Sequence, residues 1–343
     1  MLVSDFDFEL PKELIAQYPP EDRAAARMMI LNRKTGERQI SDFHHFAEHL
    51  EAGDCLVLND TRVIPARLWG HRPTSGGRVQ VFMLESRGDR KWQVFLKPGR
   101  RLAIGAQVEI DGAGVTLTVL EKEPDGACIV EFNTDDVLDM LEKYGNTPLP
   151  PYITRAPEES DKERYQTVYA VNPGSVACPT AGLHLTDAIL AELKAKGVNI
   201  AKVTLHVGAG TFKPVEESTV EAHVMHEERY IVSEEAAELI NNTHKAGKRV
   251  VCMGTTSVRT LESCVIPGTN LIQAGAGRTK IFLYPPKKPQ VADALLTNFH
   301  LPQSTLLMLV CCFCDYAHVM AAYRDAVAHQ FHFFSYGDCM LLE

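Results

Sequence analysis

Histidine, glycine and hydroxyl-bearing residues cluster in a few short segments of the sequence, and most of these segments follow a predicted strand. Ligands of α/β proteins bind at the carboxyl ends of strands, so these segments are the candidates for a functional site. At a helix start, glycine-rich backbone presents N–H groups and hydroxyl side chains present O–H groups to an anion, and histidine exchanges a proton near neutral pH. The segments span residues 59–62, 174–186, 205–212, 254–259 and 297–300.

The segment Gly254-Thr-Thr-Ser-Val-Arg259 lies between a predicted strand and a predicted helix. Its two threonines and Arg259 could hold a carboxylate or a phosphate. Capping of the helix by Thr256 or Ser257 explains the segment equally well. It lacks the GK[ST] ending of a phosphate-binding loop, so the ligand stays open.

The segment 174–186 is rich in glycine, opens into a predicted helix and contains His184. Cys178 within it could be a nucleophile, but no partner base is evident. A small buried residue is therefore the favoured interpretation. In the segment 205–212, Gly208 and Gly210 follow a strand without the third glycine of a dinucleotide site, so we predict only a close backbone approach to a ligand.

Slightly downstream of this segment, the side chains of His223, His226, Glu227 and Glu228 raise the question of a metal site. On a helix the two histidines would share a face, but their order differs from the HExxH zinc motif. Solvent-facing side chains are favoured over a zinc site. A metal-dependent hydrolase that uses His223, His226 and Glu227 remains an alternative.

Two further pairs of polar residues follow extended segments. Asp60 and Arg62 could hold a polar substrate, although a surface ion pair is favoured on the motif alone. Asn298 and His300 alternate along an extended stretch, so both could point to one face, while a core histidine is the safer interpretation of His300 alone.

The chain has 343 residues, 45% of them hydrophobic, which suffices for two domains. Short alternating strands separated by turns predict a small antiparallel barrel. These strands are placed at residues 78–85, 91–96, 107–110, 115–120 and 128–132. A helix at 135–144 follows them.

Elsewhere helices alternate with strands, which predicts an α/β fold. Helices are expected near residues 11–17, 42–50 (capped by Ser41), 187–196, 234–246, 257–264, 305–313 and 319–328, and strands near 28–31, 39–40, 55–58, 201–207, 249–253 and 280–284. We therefore predict an α/β main domain, residues 1–67 and 153–343, with an inserted small antiparallel β-barrel domain, residues 68–152.

The composition limits the class of protein. No apolar run approaches the length of about 20 residues that a membrane helix needs, and the acidic N-terminus is unlike a targeting segment, so a cytoplasmic protein is expected. Nine cysteines, an odd number scattered from Cys55 to Cys339, suit reduced thiols better than a disulfide framework, and we expect Cys311, Cys312 and Cys314 to be buried by helix packing. The net charge of −9 argues weakly against nucleic acid.

Five ordered motifs nevertheless resemble the S-adenosylmethionine:tRNA ribosyltransferase-isomerase family of queuosine biosynthesis. They are NDTRVIPAR (59–67), GSVACPTAGLH (174–184), LHVGAGTF (205–212), GTTSVRTLE (254–262) and TNFHLPQSTLLMLV (297–310). The resemblance covers essentially the whole chain. It implies transfer of the ribosyl unit of S-adenosylmethionine to 7-aminomethyl-7-deazaguanine at the tRNA wobble position, rearrangement to epoxyqueuosine, and release of adenine and methionine without a metal.

The reaction assigns expected roles to the motif residues. The sulfonium acidifies the C5′–H, so a base is needed there, and adenine leaves more readily when protonated. The candidates for catalysis are His184, His206, His226, His300 and Asp60. The candidates for binding S-adenosylmethionine are Thr180, Gly208, Gly210, Thr255, Thr256, Arg259 and Asn298.

The tRNA partner, with a GUN anticodon, must be bound by the few basic residues that are gathered together. Arg62, Arg67, Lys97, Arg100 and Arg101 are the candidates, and solvated turns explain them equally well. We expect a monomer or a weak homodimer. A tRNA-binding protein without catalytic activity is the second alternative.

Overall fold

The computed structural model describes residues 1–212 and 214–343. The strands are β1 (Arg27–Leu31), β2 (Arg38–Asp42), β3 (Cys55–Asn59), β4 (Thr61–Val63), β5 (Arg67–His71), β6 (Arg78–Ser86), β7 (Lys91–Lys97), β8 (Gln107–Ile110), β9 (Val115–Lys122), β10 (Cys128–Phe132), β11 (Asn172–Ser175), β12 (Asn199–His206), β13 (Glu228–Val232), β14 (Val250–Met253), β15 (Gly275–Thr279), β16 (Ala294–Asn298) and β17 (Cys339–Leu342). The helices are α1 (Val137–Tyr144), α2 (Asp161–Arg164), α3 (Asp187–Ala195), α4 (Glu234–Lys245), α5 (Thr255–Ser263), α6 (Thr305–Val310) and α7 (Tyr316–Ala328).

In the described part of the chain, a nine-stranded mixed sheet has the order β15-β13-β12-β3-β14-β16-β17-β1-β2. The four central strands β12, β3, β14 and β16 are parallel. The neighbouring pairs on both sides are antiparallel except for β17 and β1, which are parallel. Because parallel strands end at the same edge, the polar segments after β3, β12, β14 and β16 meet there. The predicted α/β architecture is confirmed.

The six strands β5 to β10 close into an antiparallel barrel with the order β10-β7-β6-β5-β8-β9. Burial alternates along β6, so Val79, Val81 and Met83 fill the barrel while their neighbours face outward. The predicted barrel is confirmed, with β5 as an additional strand. The boundaries 68–152 of the inserted domain stay a prediction.

Apolar side chains cover both faces of the main sheet. Val57 and Cys252 belong to the core that includes α4 to α7, whereas Leu56 and Val251 face the core that includes α3. Strands buried on both faces explain the nearly continuous apolar runs of β3 and β14. No helix in residues 1–212 or 214–343 is long and apolar enough to cross a membrane.

Three predicted elements differ. Residues 280–284 form no strand, because the pairing edge of β13 is taken by Gly275–Thr279, and Pro285 and Pro286 follow without N–H groups to donate. The segment 42–50 is a 3-10 helix, Phe43–His49, capped by Asp42 rather than Ser41. The segment 11–17 contains only a short 3-10 turn, Lys12–Leu14.

Candidate functional site

Two cavities meet at Val207, just beyond β12. The first, the sheet cavity, has a volume of about 630 Å³ and lies at the starts of α5 and α6 and the end of β16. The second, the barrel cavity, has a volume of about 550 Å³ and lies between β6 and β7 and the segment after β12. Val207 lines both, so ligands in the two cavities would be neighbours.

The start of α5 supplies an anion seat in the sheet cavity. Gly254, with φ +85°, makes the sharp turn from β14, and Thr255, Thr256 and Arg259 line the cavity. Arg259 is 5% exposed, and its Nη1 donates to the Glu228 carboxylate. Arg259 Nε and Nη2 and Thr256 Oγ1 are buried without a partner among the described residues. Buried donors without partners cost free energy, so they mark where an acceptor on a ligand belongs.

Asn298 and His300 both line the sheet cavity, as their alternation predicts. Asn298 Nδ2 donates to the Phe334 carbonyl over 2.8 Å, and its Oδ1 lies 2.9 Å from His184 Nε2. His184 is buried against Phe43 and lines neither cavity. Burial lowers the pKa of His184, so the neutral ring acts by orienting Asn298.

His300 Nε2 lies 2.8 Å from Thr297 Oγ1. Burial lowers the pKa of His300 to about 3, so its ring is neutral at pH 7. Nδ1 is the ring nitrogen left for a ligand in the sheet cavity.

Two other histidines, His206 and His226, line the barrel cavity. His206 Nδ1 lies 2.8 Å from Thr61 Oγ1, and burial, assisted by Arg229, lowers the pKa of His206. The ring of His226 packs so closely on Gly210 that a Cβ there would overlap it. The close approach at Gly210 is therefore to a histidine side chain, and the close backbone approach to a ligand stays a prediction.

Glu228, at the start of β13, links the cavities. It lines the barrel cavity, accepts from the Gly208 N–H over 3.2 Å, and pairs with Arg259 of the sheet cavity. The sequence singled out Glu228 only beside the possible metal ligands His223, His226 and Glu227, and its pairing with Arg259 was not predicted because β13 was not predicted. A buried partner for Arg259 was the one signal that could have found it, since a buried arginine requires a carboxylate.

Some predicted residues lie outside the cavities. Asp60 lines neither one, and its Oδ1 accepts from Thr204 Oγ1 over 2.6 Å and from Asn172 Nδ2 over 3.0 Å. Asp60 thus joins β12 to β11. Thr180 and Cys178 do line the sheet cavity. Cys178 is buried, as the favoured interpretation expects, and burial raises the pKa of its thiol.

The residues of the hydrolase alternative are not arranged for a metal. His223 and His226 do not share a helical face, because the 3-10 turn Val220–Ala222 ends before His223, whose ring packs on Phe282. Glu227 pairs instead with Arg278. Within residues 1–212 and 214–343, no three His, Cys, Asp or Glu side chains are grouped to hold an ion.

The basic candidates lie on the barrel side of the molecule. Lys97, Arg100 and Arg101 are exposed at and after the end of β7. Arg62 is exposed, with Glu142 3.7 Å away, and Arg67 is half-buried with a buried Nε that lacks a partner in the described residues. None of the five lines the sheet cavity.

Comparisons with known proteins agree with this architecture. A family model described as "Queuosine biosynthesis protein" matches residues 3–342. S-adenosylmethionine:tRNA ribosyltransferase-isomerases from Thermoanaerobacter sp. (strain X514) and Clostridioides difficile (strain 630) are 48% and 47% identical, over 99% and 100% of both chains. The crystal structure of S-adenosylmethionine tRNA ribosyltransferase from Thermotoga maritima is 36% identical, with a TM-score of 0.57 over 99% of this chain and 100% of that one.

Proposed function

The chain belongs to the queuosine biosynthesis protein family, and from that premise we propose how its two cavities divide the work of an S-adenosylmethionine:tRNA ribosyltransferase-isomerase. The enzyme transfers and isomerises the ribosyl moiety of S-adenosylmethionine onto 7-aminomethyl-7-deazaguanine at the wobble position of tRNA. The products are epoxyqueuosine, adenine and methionine.

The sheet cavity binds S-adenosylmethionine in this proposal. The observation that carries it is the set of unpartnered donors on Arg259 and Thr256 at the start of α5, within the described residues. The methionyl carboxylate of S-adenosylmethionine is the acceptor that fits them. Thr180, Thr255 and Asn298 line the same cavity and contact the rest of the molecule.

The barrel cavity receives the tRNA base. His206 and His226 line it, and the ribose of S-adenosylmethionine must reach toward it past Val207. The lowered pKa of His206 leaves its ring neutral at pH 7, as a base for the C5′ proton must be. Burial keeps the His300 ring neutral at pH 7, so we assign the protonation of adenine to His226 instead. Gly208 and Gly210 shape the wall between the two ligands.

The same proposal includes the identity of the tRNA, its contacts with the enzyme, the absence of a metal, the cellular location and the oligomeric state. The tRNA carries a GUN anticodon and contacts Arg62, Arg67, Lys97, Arg100 and Arg101 on the barrel side. The reaction needs no metal, and the enzyme works in the cytoplasm as a monomer or a weak homodimer.

Incubation with precursor-bearing tRNA and S-adenosylmethionine, with and without a chelator, tests the activity. We expect epoxyqueuosine in the digested nucleosides at equal yield in both samples, measured by mass spectrometry, together with free adenine. A methylated nucleoside instead would indicate ordinary methyl transfer. Loss of product with the chelator would contradict the metal-free reaction.

Replacement of Arg259 tests the carboxylate seat. We expect Arg259→Ala to weaken S-adenosylmethionine binding by about 1.5 to 3 kcal/mol, the contribution of a hydrogen bond to a charged group, as measured by calorimetry. Arg155→Ala is the matched control, because Arg155 also pairs with a buried carboxylate, Asp161, but lines neither cavity. An Arg259→Ala protein with the affinity of the control would remove Arg259 from the seat.

A further inference from the structure

We propose that the outer face of β5, β6 and β7 is a stacking track for the single-stranded anticodon-loop nucleotides next to the target base, an inference that rests on the proposed function. The track consists of three aromatic residues, Trp69, Phe82 and Phe95, and three cations, Arg67, Arg78 and Lys97. None of the aromatic residues belongs to the motifs that point to the site.

Strand pairing places these side chains in neighbouring rows. In one row Phe82 lies between Arg67 on β5 and Phe95 on β7. In the next row Gln80 lies between Trp69 and Lys97. All six point outward, because they alternate with buried residues along their strands. Rows two residues apart are separated by about 7 Å and neighbouring strands by about 4.8 Å, so the face is continuous.

Two of the aromatic rings on this face already have an arginine side chain beside them, the combination that binds a stacked base and its phosphate. The Arg78 guanidinium lies over the Trp69 ring, 4.2 Å from its centroid, and Trp69 is 36% exposed. The Arg67 guanidinium lies 5.9 Å from the Phe82 centroid, and its Nε is buried without a partner in the described chain. Aromatic rings stack bases of any sequence, and arginines at their edges hold the phosphates.

The track leads out of the barrel cavity. Phe95 lines that cavity together with Leu84 and Gln93, the next outward residues on β6 and β7. When a base occupies the barrel cavity, the adjacent nucleotides of the RNA strand therefore lie at Phe95 and Phe82. Nucleotides further along the RNA strand lie at Trp69. Double-stranded RNA does not expose base faces, so the occupant is the loop rather than the stem of the tRNA.

Charge favours the same occupant. The whole chain carries −9, yet Arg67, Arg78 and Lys97 lie on this face, and Arg100 and Arg101 follow directly after β7. A protein partner that used the face through its apolar area would not require this concentration of cations.

Tryptophan fluorescence reports the track directly, because the chain has two tryptophans and Trp92 is buried. A Trp92→Phe protein keeps Trp69 as its only tryptophan, so its tryptophan emission comes from Trp69 alone. Titration with precursor-bearing tRNA should quench this emission, with a midpoint equal to the Kd from filter binding. An unchanged emission in a sample where filter binding shows the complex would overturn the proposal, as would equal quenching by a tRNA stem without its loop.

Measurement of the tRNA KM is a second test of the track. In the otherwise unchanged chain, Trp69→Ala should raise the tRNA KM on the order of tenfold. Trp69→Phe keeps a stacking ring, so the tRNA KM of this variant should stay near that of the unaltered enzyme. Tyr18→Ala is the matched control, because Tyr18 is exposed and carries the Arg155 guanidinium 4.3 Å from its ring centroid, away from the barrel. Equal tRNA KM values for Trp69→Ala and the control overturn the track.

The affinity for S-adenosylmethionine distinguishes this failure from failure of the proposed function. It should be unchanged in every track variant, since these residues do not line the sheet cavity. Absence of epoxyqueuosine with the unaltered enzyme would instead refute the function itself.

Discussion

Thr256 and Thr260 are one turn apart on α5 but make different contacts. Thr256 lines the sheet cavity with a hydroxyl that has no partner in the described residues, whereas the Thr260 hydroxyl donates to the Thr256 carbonyl over 2.9 Å and is fully buried. A hydroxyl contributes to ligand binding only where the ligand can reach it.

We therefore expect Thr256→Val to weaken S-adenosylmethionine binding by about 0.5 to 1.5 kcal/mol, measured by calorimetry. Thr260→Val should lower the free energy of unfolding by about 1 kcal/mol and leave the affinity unchanged. Equal affinities for the two variants would place the carboxylate elsewhere.

His300 makes the stability of the protein sensitive to acid. Its folded-state pKa of about 3 lies below the ordinary 6.5, so below pH 6.5 the unfolded chain binds a proton that the folded chain does not. The free energy of unfolding therefore falls as the pH drops from 6.5 toward 3, by about 1.4 kcal/mol per pH unit for this residue. His184 contributes in the same direction.

His300→Gln should flatten this loss, because glutamine can keep a hydrogen bond to Thr297 without taking up a proton. Urea unfolding at pH 7 and pH 5 measures the difference for both proteins. A difference as large in His300→Gln as in the unaltered chain would show that His300 is not the residue that titrates.

For individual residues, the sequence identified which side chains are candidates for the site better than it identified what each of them does. Thr255, Thr256, Arg259, Asn298 and His300 all line the sheet cavity, and their roles in binding and catalysis stay predictions. Asp60 and His184 could not be separated from them by sequence, because only the fold shows that their polar atoms are used by Thr204 and Asn298.

The segment between β12 and β13 carries the wall of both cavities, and its glycines differ in the space around them. A Cβ on Gly210 would overlap the His226 ring, whereas a Cβ on Gly208 would lie 4.0 Å from Glu228 Cγ, an ordinary contact.

We expect Gly210→Ala to lower the free energy of unfolding by about 1 to 3 kcal/mol through overpacking, and to reduce turnover because His226 must move. Gly208→Ala should change the free energy of unfolding by a smaller amount. Urea unfolding and nucleoside analysis measure both effects. Equal stability of the two variants would mean that the His226 ring moves without cost.

Elements with strong local patterns were predictable, and elements defined by their partners were not. The alternation of β6, β7 and β9 and the turns between them identify the barrel. Gly275–Thr279 has no strand-like pattern and became β15 only because β13 offers an edge, while residues 280–284 have the pattern but no partner.

For the molecule as a whole, binding of tRNA by a chain of charge −9 requires a local concentration of cations. Arg100 and Arg101 are exposed beyond β7, apart from the sheet cavity. We expect Arg100→Ala with Arg101→Ala to raise the tRNA KM and to flatten its salt dependence, because fewer counterions are released on binding.

Kinetics at several salt concentrations measure the slope of log KM against log salt. S-adenosylmethionine affinity should stay unchanged in the double variant. A slope equal to that of the unaltered enzyme would move the tRNA contact away from this turn.

The position of β17 in the sheet has a consequence for synthesis on the ribosome. β1 pairs with β17 through Met28 and Cys339, residues that leave the ribosome far apart in time. At about 5 to 20 residues per second, β1 waits roughly 15 to 60 s for this partner. During that interval one edge of a strand whose residues 28–31 are all apolar is open to any other chain. Nascent copies should therefore depend on chaperones until the last strand has been translated.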